Sequence, residues 1–97
     1  MAKKEMIIDV EKERYLYGFY KLLIKQLELP SNTGLCLDGM SDFLRELWEE
    51  DRVARFINVS KTNDDIRNEI MCVVKMFGRV KEFQNRCGNE FTWTVED

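Results

Sequence analysis

The stretch Val53-Ala54-Arg55-Phe56-Ile57-Asn58-Val59 decides the architecture of this chain. In an extended backbone Val53, Ile57 and Val59 fall on one side, and Ala54 and Phe56 on the other. A run that is apolar on both sides reads as a strand at or near the centre of a covered sheet. The sequence on either side of it is helical. Downstream, Ile66, Ile70, Val73, Val74, Phe77 and Val80 recur at three- and four-residue steps, which predicts one long amphipathic helix over residues 64–86. Thr62 with Asp65 has the spacing of a capping box, and Gly88 just after basic Arg86 suits the far end.

Upstream there are two shorter stripes. Leu16, Phe19, Tyr20, Leu23 and Leu27 predict a helix over residues 15–27, and Met40, Phe43, Leu44 and Leu47 predict a second over about 38–50. Pro30 ends the first by pushing Leu29 out of the α region. The loop between them, residues 31–37, contains Gly34, read as supplying a backbone angle that other residues avoid. Residues 5–10 and 91–95 complete the set as strands, the last with Phe91, Trp93 and Val95 alternating with two threonines.

The order is β-α-α-β-α-β. Strands joined by helical crossovers pair in parallel with one hand. The expected fold is α/β, a small three-stranded parallel sheet with helices packed on it, as one domain over residues 1–97. The first strand carries Ile7 and Ile8 on opposite faces and is expected in the middle.

Composition excludes several kinds of chemistry. There is no histidine, hence no histidine base, no Ser-His or Cys-His dyad and no imidazole metal ligand. Cys36, Cys72 and Cys87 form no Cys-x-x-Cys pair and are too few for an all-cysteine zinc site. An odd, widely spaced set suits reduced thiols in a cytoplasm, with Cys72 and Cys87 read as small buried hydrophobes. The apolar residues 6–10 are too few for a signal peptide, and charges interrupt every longer apolar stretch, so neither export nor a membrane partner is expected.

Charge is concentrated. Between residues 31 and 51 stand Asp38, Asp42, Glu46, Glu49, Glu50 and Asp51 against Arg45 alone, a net of −5. The whole chain is −3, which leaves +2 for the rest. Asp38, Asp42, Glu46 and Glu49 share one helix face, where like charges repel by roughly 0.2–0.5 kcal/mol per pair. A basic partner would offset that cost. Asp38 at the helix start serves equally as an N-cap, but Asp42, one turn further in, does not.

The same carboxylates are poorly placed for catalysis. Side by side on a convex face they cannot flank a substrate, no EF-hand spacing accompanies them, and neighbouring acids disfavour a Cys36 thiolate. The chain is therefore expected to be no enzyme and to need no cofactor. An enzyme using Asp38 and Asp42 with a divalent ion is the third and least favoured reading. The negative net charge also argues against direct nucleic-acid binding, with Lys75, Arg79, Lys81 and Arg86 read as a solvated face balanced by Glu82. Trp48 fits either an interface anchor or core packing, and Trp93 fits packing.

The run Leu29-Pro30-Ser31-Asn32-Thr33-Gly34-Leu35-Cys36-Leu37-Asp38-Gly39-Met40-Ser41-Asp42-Phe43-Leu44 resembles the signature of the barstar family. There a helix ends at Leu-Pro, a loop with a glycine leads to Leu-Asp, and a second Asp follows one turn on. Leu29, Pro30, Gly34, Leu37, Asp38, Asp42 and Leu44 fit that pattern, as do the element order and Phe77. The resemblance implies a cytoplasmic inhibitor, monomeric and binding 1:1, that fills the basic active site of a ribonuclease toxin with carboxylates in place of RNA phosphates. It implies partner-binding positions at Asn32, Gly34, Leu35, Asp38, Ser41, Asp42, Arg45, Glu46 and Arg79. Asn32 and Ser41 stand where the family has aromatics, Cys36 where it has Asn, and Arg79 where it has a glutamate. Those departures imply a nuclease other than barnase. The alternative is an interaction domain of the same fold with no nuclease partner.

Overall fold

Strand β2 (Arg52–Ile57) lies between β1 (Lys4–Asp9) and β3 (Phe91–Val95), parallel to both. The structure, a computed structural model, describes residues 3–46 and 50–97, without the side chain of Glu46. The expected roles of Leu47, Trp48 and Glu49 therefore lie outside the described residues.

The parallel three-stranded sheet agrees with expectation, but its order does not, since β2 and not β1 is central. The reason is that only one face of the sheet is covered. Ile8 is fully buried while its neighbour Ile7 is 37% exposed. An apolar residue on each face of β1 thus marks no central position. Crossovers of one hand that carry the chain steadily across a sheet leave every helix on the same side. Helices α1 (Leu16–Gln26), α2 (Leu37–Glu46) and α3 (Asp64–Arg86) accordingly share one core with the sheet. Met6, Ile8, Ala54, Phe56 and Phe91 meet Phe19 and Leu23 of α1, Met40 and Leu44 of α2, and Ile70, Val73 and Phe77 of α3 in that core.

The bare face carries polar ties where a parallel sheet more often carries a second helical layer. Arg55, at its middle, donates through Nε and Nη2 to the two oxygens of Glu96, at 2.8 Å each, and through Nη1 to Glu5. Thr94 Oγ1 also donates to Glu96, at 2.6 Å. Together these donors pull the Glu96 carboxyl down to about 2.

The helix ends are built in two ways. Helix α3 finishes with Gly88 at φ 86°, and the backbone N–H groups of Gly88 and Asn89 return to the carbonyls of Asn85 and Gln84. Helix α1 finishes with the same hydrogen-bond pattern, Glu28 to Lys25 and Leu29 to Ile24, but its left-handed residue is Glu28, at φ 58°. The helix thus stops before Pro30 acts. Gly34 is not at positive φ, contrary to expectation. The loop turns instead on Thr33, whose N–H and Oγ1 both donate to the Pro30 carbonyl, and on Cys36 N–H donating to Gly34.

Other local expectations are also corrected. Asn63, not Thr62, caps α3, with Oδ1 accepting from Ile66 N–H at 3.0 Å. Thr62 Oγ1 donates to the Glu13 carbonyl, tying the loop before α1 to the start of α3. Leu16 is exposed, being the first residue of α1. Cys72 and Cys87, like Cys36, are exposed, because the apolar stripe of α3 passes through Val73 and Phe77 and turns residue 72 outward. Helix α2 begins at Leu37, so Asp38 stands in its first turn, where a carboxylate suits the helix dipole. Glu50 lies in a bend rather than in the helix.

Candidate functional site

Helix α2 buries Met40 and Leu44, which turns residues 38, 42 and 45 along its outer flank. That flank faces α3. Gln84 sets the join: its Nε2 donates to the Leu44 carbonyl at 2.7 Å, and its Oε1 accepts from Asn89 at 3.0 Å. Between the helices lies an open hollow of about 300 Å³, lined by Asp38, Ser41, Asp42, Arg45 and Arg79.

Asp38 and Asp42 are both exposed. Among the described residues neither enters a hydrogen bond or an ion pair. They are thus presented to solvent, and Arg45 and Arg79 line the same hollow without pairing with them. Ser41 lines the same hollow although only 7% exposed. Arg79 reaches it from α3, so one residue from the far end of the sequence joins the acids of α2. The side chain of Glu46 lies outside the described residues.

A second hollow, of about 220 Å³, adjoins the first through Arg45 and Arg79 and adds Glu82, Phe83 and Arg86. The family resemblance puts Arg79 among the partner-binding positions, whereas composition and spacing read Arg79, Glu82 and Arg86 as a solvated helix face. Their 3–4–7 spacing shows that they share a side of α3, but nothing local shows that α2 lies beside it.

The loop residues divide. Asn32, Gly34 and Cys36 are exposed. Leu35 does not line the hollow between α2 and α3. It lies on a separate one of about 440 Å³ together with Lys21, Ile24, Lys25, Leu29, Ser31 and Thr33. The loop therefore lines this separate depression and not the hollow between α2 and α3.

Among the described residues, no group of three or more Cys, Asp or Glu side chains is placed to hold a metal ion, and no helix is long and apolar enough to cross a membrane. No family model matches this chain and no curated protein matches it.

Proposed function

We propose that this chain is a barstar-like immunity protein. In this reading it binds the basic active site of a ribonuclease toxin in the cytoplasm, 1:1, and blocks it with the loop of residues 31–37 and helix α2. The observation that carries the proposal is the pair Asp38 and Asp42: exposed, one turn apart, and without a cationic partner among the described residues. A site that holds RNA must be basic, so such a pair is complementary to it. An enzymatic role gains no support from two carboxylates that stand side by side on one helix rather than across a cleft from each other.

The test is inhibition of RNA cleavage by a basic, barnase-like ribonuclease mixed with this chain. Removing one partner of a desolvated charge pair costs about 2–5 kcal/mol. Joint reversal, Asp38→Lys with Asp42→Lys, should therefore weaken inhibition by a factor of roughly a thousand or more. Undiminished inhibition would sink the proposal.

A second reading, an interaction domain without a nuclease partner, is favoured by the apolar hollow at Ile24, Leu29 and Leu35. In that case the double reversal leaves partner binding intact, whereas Leu35→Asp abolishes it.

A further inference from the structure

Most arginines of this chain are engaged. Arg14 donates to the carbonyls of Glu11 and Glu13, Arg52 pairs with Glu28 and Glu50, Arg55 with Glu5 and Glu96, and Arg67 with Asp64. Arg45, Arg79 and Arg86 are the exceptions, making no hydrogen bond or ion pair with any described residue. Arg45 and Arg79 line both adjoining hollows of the groove between α2 and α3, and Arg86 lines the second, which Asp38 does not reach. Arg45, which lines both hollows, has a buried Nε with no acceptor. A buried guanidinium N–H without an acceptor is a costly state, and an acceptor supplied from outside relieves it.

We propose that the half of the groove formed by Arg45, Arg79 and Arg86 receives a carboxylate side chain of the same protein that covers Asp38 and Asp42. The proposal rests on the reading of those aspartates as partner-binding and adds the chemistry of the adjoining half. The partner then presents an acid beside its bases. Guanidinium groups bind carboxylates through paired N–H donors. Arg79 and Arg86 stand two turns apart, about 10 Å along α3, with Phe83 between them supplying apolar wall. Side chains of that length close on one carboxylate from either side. A nucleic acid is the wrong occupant. Its phosphates repeat one sign, whereas Asp38, Asp42 and Glu82 share the groove with the arginines. A protein surface can alternate signs over that distance.

The test uses the full chain, labelled with nitrogen-15. Its arginine Nε–Hε resonances are followed by NMR during titration with glutarate and, separately, with a uridine hexanucleotide. Glutarate at millimolar concentration should move the Arg45 resonance together with that of Arg79 or Arg86. Arg79→Ala with Arg86→Ala, both at exposed positions, should remove the effect at Arg45. The hexanucleotide should move none of the three. An unmoved Arg45 in glutarate overturns the proposal, and so does tighter binding of the hexanucleotide at the same resonances. Against a nuclease that the chain inhibits, Arg79→Glu with Arg86→Glu should lower affinity at least tenfold, and unchanged affinity overturns the proposal. If instead Asp38→Lys with Asp42→Lys is harmless, the reading of the aspartates fails, while the glutarate result still decides the arginine half.

Discussion

Gln84 of α3 donates its side-chain amide to the main-chain carbonyl of Leu44 in α2, at 2.7 Å and out of contact with water. This bond ties together the helices that carry Asp42 and Arg79, which also share one hydrophobic core. Replacing Gln84 by Leu keeps the volume and removes the donor. A buried carbonyl left unsatisfied costs about 1–3 kcal/mol. Urea denaturation of Gln84→Leu should show a loss of that size at unchanged m value. If the joint acts as described, inhibition of the nuclease should weaken as well, although residue 84 is itself buried.

Glu28 holds the left-handed position that ends α1. A side chain costs roughly 1–2 kcal/mol in that conformation and glycine none, while glycine gives back about 0.5–1 kcal/mol in chain entropy. Glu28→Ala and Glu28→Gly lose the same contacts to Lys4 and Arg52. The glycine variant should therefore be the more stable of the two, by about 1 kcal/mol or somewhat less. An alanine variant at least as stable would show that the helix end does not depend on that angle.

Stability should vary with acid pH in a defined direction. The hydrogen bonds from Arg55 and then Thr94 hold Glu96 near 2, against an ordinary 4.5. Glu28, held chiefly by Lys4, and Asp9, held chiefly by Asn58, are lowered too. Between those values the unfolded chain binds more protons than the folded one. The stabilisation is therefore complete above about pH 5 and is lost as pH falls from about 4.5 towards 2. Denaturation midpoints measured from pH 7 to pH 2 should show that limb, and Glu96→Gln should make it shallower. Since these groups are exposed, 0.5 M salt should shrink the effect. The alkaline limb has a different origin. Burial and the hydrogen bond to Glu69 raise the Tyr20 phenol above its ordinary 10. Stability is complete below pH 10 and lost above it, less so in Tyr20→Phe.

Association with a basic nuclease should be salt-sensitive in rate. Exposed carboxylates steer an oppositely charged site over a distance near the Debye length, about 10 Å at 0.1 M and 3 Å at 1 M. Stopped-flow association rates should fall steeply over that range, with dissociation changing much less. An association rate independent of salt would favour docking through the Leu35 hollow.

The sequence was most legible where a signal is local. The stripe Ile66, Ile70, Val73, Phe77 and Val80 marks α3 because each residue faces the same core. Gly88 marks its end because only glycine takes that angle freely. The end of α1 at Glu28 was not legible, since glutamate carries no such signal, and the ion pairs that hold it come from β1 and β2. The cap at Asn63 was missed for a related reason. Two adjacent residues could each cap the helix, and the contact of Thr62 with Glu13 decides between them.

By itself the sequence determined the order of elements, the parallel pairing of strands joined through helices, and the concentration of acids in residues 31–51. Periodicity and charge are properties of neighbouring residues, and a chain read one residue at a time exposes them. Only the tertiary structure decided that β2 is central, that one face of the sheet is bare, and that Arg45, Arg79 and Arg86 share a groove with Asp38 and Asp42. Those facts depend on which surfaces meet after the helices pack. That choice is made by the burial of the whole core at once, and no stretch of the chain records it alone.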